Sequence, residues 1–238
     1  MILQVWNSHM APTPSPAWNA RKAPRQARST TTVEAIFEAS IQVLLVDGPT
    51  RLTTTSVAKR AGVSVGTLYQ YFPNKQALFY AVNQRYLEML AERVEQACKR
   101  HHGRPFAEMA AALVGTYIEV KVERRDVTRV LYLAAVEVNV AEHVEEMTQR
   151  VEAASEAMFA TASDGEFHDL AKVNLTLLNV LFGTVRSFFD RHMSDLLEGA
   201  ISSQLVAMFC TYLEAAKISF PQKDASQDRQ NLQQGHCN

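Results

Sequence analysis

Apolar residues recur at helical spacing near the start of the chain. The first stripe extends from Val33 to Leu45, with an apolar residue at roughly every third or fourth position. This spacing is typical of an amphipathic helix that buries one face. Gly48 and Pro49 follow the stripe. Glycine accepts the left-handed conformation beyond a helix end and proline cannot continue a helix, so the sequence predicts that this helix ends there.

Three more helices are predicted directly after the first. The second begins near Thr53–Thr55, where hydroxyl groups can cap free amides, and ends before Gly62. Ser64 is the expected N-cap of a very short third helix over residues 65–71. Asn74 is the expected N-cap of a long fourth helix. Its apolar stripe consists of Leu78, Phe79, Val82, Tyr86, Leu90 and Val94.

The rest of the chain also has helical composition. Pro49, Pro73 and Pro105 are the only prolines between residues 29 and 220, and no alternating strand pattern is present. The sequence therefore predicts an all-α fold of about nine helices. The later helices are expected near residues 105–123, 126–138, 141–162, 167–191 and 194–218.

Composition narrows the class of protein. Hydrophobic residues make up 47% and charged residues 21% of the 238 residues, the balance of an ordinary globular chain. No apolar run approaches the roughly 18 residues of a membrane span, and the first six residues are too few for a signal segment. We therefore expect a cytoplasmic protein. Cys98, Cys210 and Cys237 are widely spaced, so we expect free thiols, with no metal site and no cofactor.

The small net charge of −1 conceals an uneven distribution. Residues 21–76 hold eight Lys/Arg and three Asp/Glu, a net charge of +5, whereas residues 77–238 carry −6. A basic N-terminal quarter joined to an acidic remainder indicates that one end of the molecule meets a polyanion.

The segment from Leu52 to Leu78 carries the most specific pattern. Two short helices are joined by a tight turn at Gly62 and preceded by a third helix, which describes helix-turn-helix geometry. The short third helix offers hydroxyl, amide and methyl groups that suit base edges and phosphates. The candidate DNA contacts in and around it are Ser64, Val65, Gly66, Thr67, Tyr69, Gln70 and Tyr71.

The run T-x-x-V-A-x-x-A-G-V-S-x-G-T-L-Y-x-Y-F-x-N-K, which begins at Thr54, closely resembles the DNA-binding domain of the TetR family of bacterial regulators. The resemblance covers residues 30–80, about a fifth of the chain. It implies that Thr54 and Thr55 lie near phosphates, and that Tyr69 and Lys75 hold the DNA backbone. The same resemblance implies that Val65, Gly66, Thr67 and Tyr71 face the major groove. Thr55 stands where some relatives carry arginine, which puts one direct guanine contact in doubt.

Two of these residues and the N-terminal arm also have a plainer interpretation. Tyr69 is also an ordinary packing residue, and Lys75 is also an ordinary solvated lysine. The N-terminal arm, which we place at residues 1–28, either touches DNA or makes no contact. Its basic residues are Arg21, Lys22, Arg25 and Arg28.

The last two predicted helices, over residues 167–191 and 194–218, are apolar on more than one face. A surface helix needs a single apolar stripe, so the surplus indicates burial from two sides. The TetR resemblance implies a homodimer built on these two helices. Two recognition helices about 34–36 Å apart then read a palindromic double-stranded DNA operator.

The resemblance also implies a pocket for a small-molecule effector among the middle helices. Each candidate for its lining is also what a helical core is built from. The candidates are Tyr86, Met89, Phe106, Tyr117, Tyr132, Phe159 and Asn179, with Arg129, Glu137, Asn174 and Arg186 as further polar anchors.

These inferences divide the chain into four parts. The arm is followed by a DNA-binding domain at residues 29–76, a ligand-binding and dimerisation domain at residues 77–220, and a disordered tail at residues 221–238. We expect a repressor that its effector releases from DNA. An activator, a corepressor-dependent regulator and a protein-binding adaptor stay open. We do not expect an enzyme, because catalytic signatures such as G-x-S-x-G and H-E-x-x-H do not occur.

Overall fold

The protein is described by a computed structural model over residues 27–135, 139–191 and 196–218. Within these ranges the chain forms α-helices and no strands, which confirms the predicted fold class. None of these helices combines the length and apolar character needed to cross a bilayer. The helices are α1 (Ala27–Asp47), α2 (Thr54–Ala61), α3 (Val65–Tyr71), α4 (Lys75–Arg100), α5 (Phe106–Glu123), α6 (Arg125–Ala134), α7 (Ala141–Phe159), α8 (Leu170–Asp190) and α9 (Leu196–Ala216).

The observed helices differ from the predicted ones mainly at their ends. Helix α1 begins at Ala27, ahead of the apolar stripe that starts at Val33. Its first turn carries no apolar pattern, so the sequence does not reveal this start. Helix α8 begins at Leu170 rather than residue 167, since Asp169 caps it by accepting a bond of 3.1 Å from the Lys172 amide. Residues 1–26 of the predicted arm, the predicted tail and Glu137 lie outside the described residues, whereas the last two arm residues, Ala27 and Arg28, belong to the first turn of α1.

The first three helices pack around one hydrophobic cluster with the beginning of α4. Helix α2 lies against α1, and α3 lies against α2. Leu68 is the only fully buried side chain of the short helix α3, which therefore presents much of its surface to solvent. The cluster is centred on Ile36, Leu44, Val57, Ala58, Leu68, Phe72, Leu78 and Phe79. We call α1–α3 the head.

The remaining helices form a second cluster, which we call the body. Helix α4 packs along α7, and α5 packs against α4 and α9. Glu95 of α4 accepts two bonds from Arg150 of α7, at 2.7 and 2.9 Å. The hydrogen bonds from Arg150 lower the pKa of the Glu95 carboxyl. The long helix α4 therefore belongs to the head at its start and to the body along the rest of its length.

Helix α6 is part of the body in sequence but packs with the head. A single residue, Arg124, separates it from α5. Val127 and Leu131 belong to the same hydrophobic cluster as Ile36 of α1. The head and the body are therefore joined twice, through α4 and through α6.

Candidate functional site

The turn between α2 and α3 is held by caps at both helix starts. The Thr53 hydroxyl accepts a bond of 3.1 Å from the Ser56 amide, and the Ser56 hydroxyl accepts one of 3.1 Å from the Thr53 amide. Gly62 follows α2 with a φ of +69°, a left-handed conformation that L side chains rarely adopt. These features satisfy the free amides of α2 and fix the direction in which α3 leaves it.

Helix α3 is capped by Ser64, whose hydroxyl contacts both the amide and the hydroxyl of Thr67. The Ser64 hydroxyl accepts from the Thr67 amide at 2.9 Å and lies 2.8 Å from the Thr67 hydroxyl. Capping of this kind stabilises a helix by about 1 kcal/mol. Ser64 and Thr67 therefore have a structural function as well as the DNA-contact function that the family resemblance implies.

The predicted contact residues of α3 are not equally accessible. Gly66, Tyr69 and Gln70 are exposed, and so are Thr55 and Ser64. Val65, Thr67 and Tyr71 are half-buried, and Val65 and Tyr71 pack on the head cluster. The structure brings all of these residues to one end of the head, around the exposed side of α3.

Thr54 departs from this pattern because it is buried. Its hydroxyl lies 3.0 Å from the Tyr69 hydroxyl, so the first turn of α2 is hydrogen-bonded to α3. Tyr69 itself remains 41% exposed. The pair fixes the relative position of the two helices, and Tyr69 is the member that solvent or a ligand can reach.

Lys75 lies in the first turn of α4, next to the cap formed by Asn74. Its ammonium donates a bond of 2.8 Å to the Pro49 carbonyl oxygen and lies 5.2 Å from the centre of the Phe79 ring. An ammonium has three donors, so this bond leaves two for a phosphate. Lys75 thus ties the loop after α1 to α4 and places a cation at the end of a helix that attracts anions.

The charges of the head are separated in space. Glu34 and Glu38 of α1 form ion pairs with Arg85 and Arg124, on the side of α1 that faces the body. Arg60 of α2 is exposed and donates a bond of 2.8 Å to Gln42. Two carboxylates are thus paired with cations of the body, which leaves the α2–α3 end predominantly basic.

Three of the predicted effector residues, all tyrosines, lie together around Lys121 of α5. This lysine is 1% exposed. Its ammonium lies 4.9 Å from the ring centre of Tyr86, 5.7 Å from that of Tyr117 and 5.0 Å from that of Tyr132. We call these four residues the lysine cage. Burial lowers the pKa of Lys121 and raises that of Tyr132 to about 12.

Helices α6 and α8 complete the surroundings of the cage. The Tyr86 hydroxyl lies 2.7 Å from that of Thr128, and the Thr128 hydroxyl donates to the Lys121 carbonyl oxygen at 2.7 Å. The Arg186 guanidinium stacks 4.2 Å from the ring centre of Tyr132. The cage and its neighbours therefore bring α4, α5, α6 and α8 together.

The other predicted effector residues lie apart from the cage. The Lys217 ammonium lies 4.1 Å from the centre of the Phe106 ring, and Phe159 is buried in the body cluster. The Asn179 amide donates to Leu175 of its own helix at 2.8 Å. Met89 lines a cavity of about 250 Å³ that Tyr86 also borders.

Lys121 was not among the residues expected from the sequence. The available signal was its position: it lies four residues after Tyr117 and eight after Leu113, on the buried stripe of α5. A lysine on such a stripe indicates either a buried cation or an interrupted face. Asn174, a predicted polar anchor, is also buried, but it accepts from Ser155 at 2.8 Å and donates to the Glu152 carbonyl oxygen at 3.0 Å, which joins α8 to α7.

Two family models match the chain in the order in which the helices occur. The model described as bacterial regulatory proteins, tetR family, matches residues 36–82. The model described as tetracyclin repressor-like, C-terminal domain, matches residues 105–213. The chain belongs to the TetR family. It is therefore a transcriptional regulator of the TetR type with a DNA-binding helix-turn-helix.

Curated relatives match only part of this TetR-family protein. The nucleoid occlusion factor SlmA of Actinobacillus pleuropneumoniae serotype 5b (strain L20) is 39% identical over 85 residues, which cover 36% of this chain and 41% of that protein. The fatty acid metabolism regulator protein of Bacillus subtilis (strain 168) is 31% identical over 64 residues, covering 27% and 33%. The chain thus spans about two fifths of the length of the SlmA proteins that it matches.

Solved structures share the TetR fold over most of the chain. A putative TetR-family regulator from Mesorhizobium loti MAFF303099 has a TM-score of 0.64 at 15% identity, covering 81% of this chain and 100% of its own. The regulator FadR from Bacillus subtilis, in complex with stearoyl-CoA, has a TM-score of 0.58 at 19% identity, covering 74% and 96%. At these identities the likeness concerns the fold.

Proposed function

We propose that this TetR-family regulator is a cytoplasmic repressor that binds a palindromic operator as a homodimer and leaves it when a small-molecule effector binds. The observation that carries the proposal is the exposed side of α3. This helix is fixed by caps and by the Thr54–Tyr69 hydrogen bond, yet it exposes Gly66 and Gln70. A rigid helix with accessible polar groups is what reading base edges requires.

Operator binding divides into two kinds of contact in this proposal. The Gln70 amide, at the exposed side of α3, is suited to bidentate bonds with adenine. Lys75 and the Tyr69 hydroxyl, which flank that side, are suited to phosphates. The basic residues at the same end of the head supply the non-specific attraction that precedes recognition.

The proposed dimer interface is formed by α8 and α9. Between these helices lies an open groove lined by Ile201, Leu205 and Met208, among others. Met208 is 46% exposed and Leu175 of α8 is 44% exposed. Large apolar side chains on two adjacent long helices support burial by a second copy of the chain.

Effector release is proposed to act through the double connection between head and body. Helices α4 and α6 each contribute to the head cluster, and both border the lysine cage. An effector that prefers one arrangement of these helices would change the separation of the two heads in the dimer and lower operator affinity.

The proposal is tested by incubating the purified protein with sheared DNA of its source organism and sequencing the retained fragments at moderate salt. A recovered inverted repeat, with binding that weakens steeply as salt rises, supports the dimeric regulator. Genes beside the repeat whose expression rises when the regulator is deleted support repression, and a fall in their expression indicates an activator. A folded dimer that retains no DNA indicates either a corepressor-dependent regulator or an adaptor.

Two variants distinguish the proposed contacts. Gln70→Ala is expected to relax base preference at one operator position by about 1–3 kcal/mol, because the amide reads a base edge. Lys75→Gln is expected to weaken binding to all sequences alike and to reduce the salt slope by about 1. Lys99→Gln, which removes an exposed charge near the far end of α4, is the matched control. Parental binding by both test variants would contradict the site assignment.

A further inference from the structure

A cavity of about 250 Å³ lies between the head and the body. Phe37 and Ile41 of α1 form its wall on the head side, whereas Met89 of α4 and Val127 of α6 belong to the opposite walls. The volume corresponds to roughly eight water molecules, enough for an organic molecule of on the order of ten non-hydrogen atoms. A molecule with an apolar portion would match these walls.

The cavity is bordered by three arginines, each in an ion pair with one glutamate. Arg85 and Arg124 are paired with Glu34 and Glu38 of α1, at 3.4 and 3.3 Å. Arg93 is paired with Glu123 at 3.2 Å. The side chains of these pairs are about half exposed, so each pair contributes little to stability and its glutamate is readily exchanged for another anion.

The lysine cage adds a positive charge behind the cavity wall. Tyr86 borders the cavity on one side, and the Lys121 ammonium lies 4.9 Å from the centre of its ring. Among the residues that the structure describes, no carboxylate forms an ion pair with Lys121. Four cations thus surround the cavity region against three carboxylates, and the fourth cation is shielded from water, which strengthens its field.

From these observations we infer that the cavity between α1, α4, α5 and α6 is a binding site for an amphipathic organic anion. Its apolar portion packs on Phe37, Ile41 and Met89. Its anionic group replaces Glu34 and Glu38 as the partner of Arg85 and Arg124. Charge complementarity selects an anion over a cation of the same shape, because a cation would meet three guanidinium groups.

The site has a regulatory consequence that rests on the proposed function. The Glu34–Arg85 and Glu38–Arg124 pairs connect α1 of the head to the body. An anion that takes over both arginines removes these two connections and places a ligand against α1. The occupied protein therefore has a head that is less firmly held to the body, which favours release from the operator.

Calorimetric titration of the full-length protein tests the site without DNA. The probe is octanoate, and octyltrimethylammonium, with the same alkyl chain and the opposite charge, is the matched ligand. We expect octanoate to bind with a stoichiometry of one per chain and at least tenfold more tightly than the cation. Operator release by octanoate is measured separately, so a failure of DNA binding leaves the calorimetric result intact.

Variants locate the binding. The double variant Arg85→Gln/Arg124→Gln is expected to weaken octanoate binding at least tenfold, whereas Glu34→Gln/Glu38→Gln is expected to strengthen it several-fold by removing the competing carboxylates. Met89→Trp fills the cavity and is expected to abolish binding. Lys99→Gln/Arg100→Gln, at the exposed end of α4, removes the same charge as the first variant and is expected to leave binding unchanged.

Three results would overturn the inference. The first is the absence of octanoate binding to the folded parent protein. The second is equal binding of octanoate and octyltrimethylammonium, which would indicate an apolar site without charge selection. The third is unchanged octanoate affinity in the Arg85→Gln/Arg124→Gln protein, which keeps its fold because both arginines lie at the surface.

Discussion

Tyr69 illustrates how far residue type alone can be interpreted. From the sequence it is a phosphate contact or a packing residue, and in the structure it lies 3.0 Å from the Thr54 hydroxyl while staying 41% exposed. A phenol oxygen accepts and donates at once. When Thr54 is the donor, the Tyr69 proton remains available to a phosphate. The internal bond and the proposed DNA contact are therefore compatible.

His143 is buried without a hydrogen-bond partner for either ring nitrogen in the described part of the chain, and its ring centre lies 4.1 Å from that of Tyr80. Burial lowers its pKa, and the carboxylates of Glu142, Glu146 and Glu88 oppose that shift. The unfolded chain, whose histidine titrates near 6.5, therefore binds more protons at mildly acidic pH than the folded chain does. The stability that neutral His143 supplies is fully present above pH 6.5 and is lost as the pH falls from there through the lower pKa of the folded protein.

We accordingly expect His143→Phe to reduce the acid sensitivity of the fold. Between pH 7.5 and 5.5 the parent should lose more of its free energy of unfolding than the variant does, because phenylalanine cannot take up the proton. Urea unfolding at the two pH values measures this difference. His102→Gln, at an exposed position, is the control. Identical losses in the parent and His143→Phe would show that this histidine does not contribute.

Lys121 gives a prediction of the opposite kind, in which removing a charge stabilises the protein. Its ammonium is desolvated among aromatic rings without a carboxylate partner in the described residues, and burial lowers its pKa. Lys121→Met keeps the volume and removes the desolvated cation, so we expect the free energy of unfolding to rise by about 1 kcal/mol. Lys121→Ala leaves a void and is expected to lower it by about 2 kcal/mol. Thermal unfolding of both variants is the measurement.

At the scale of elements, the sequence predicts the helices more reliably than the contacts of their side chains. The starts of α2, α3 and α4 are predictable because Thr53, Ser64 and Asn74 are short polar residues placed before apolar stripes, and each accepts an amide bond as expected. Capping is local, so the necessary information lies within four residues.

The lysine cage shows what the sequence cannot provide. Its members come from α4, α5 and α6, and their meeting depends on the crossing of helices distant in the chain. Periodicity places Tyr86 and Tyr117 on buried faces but does not say which buried faces meet. For the same reason, Phe106 and Tyr117 are indistinguishable by pattern although one lies beside Lys217 and the other beside Lys121.

Two glycines of the helix-turn-helix should respond oppositely to alanine. Gly62 has a φ of +69°, so Gly62→Ala is expected to lower stability by about 1 kcal/mol through backbone strain alone. Gly66 lies within α3, and an added Cβ would meet only the Ser64 hydroxyl at 3.7 Å. Gly66→Ala should therefore raise stability by about 0.5–1 kcal/mol.

Measuring DNA binding distinguishes the effect of Gly66→Ala on stability from its effect on operator affinity. If the backbone of α3 approaches the groove at Gly66, Gly66→Ala should weaken operator binding at least fivefold in spite of its greater stability. Chemical denaturation and fluorescence anisotropy with an operator duplex measure the two quantities on the same protein. A more stable Gly66→Ala protein with parental affinity would place the DNA away from this part of α3.

At the scale of the whole molecule, the proposed dimer depends on the apolar groove between α8 and α9. Met208→Glu introduces a charge into that groove, and we expect self-association to weaken at least a hundredfold, because a carboxylate in an apolar interface loses its hydration. Leu133→Glu, at an apolar position of α6 that is 52% exposed, is the matched control and should remain dimeric. Sedimentation velocity gives the masses. A fully dimeric Met208→Glu protein would contradict the interface.

The packing of α6 on the head also bears on how regulators of this kind can be recombined. Val127, Val130, Leu131 and Ala134 fill the same cluster as the buried face of α1. A chimera that joins the first three helices of one relative to the body of another would combine side chains of two different proteins at the interface between the head and α6. To transfer DNA specificity between relatives, the head and α6 should therefore be exchanged together. A chimera that exchanges the head alone is expected to be poorly packed where α6 meets α1.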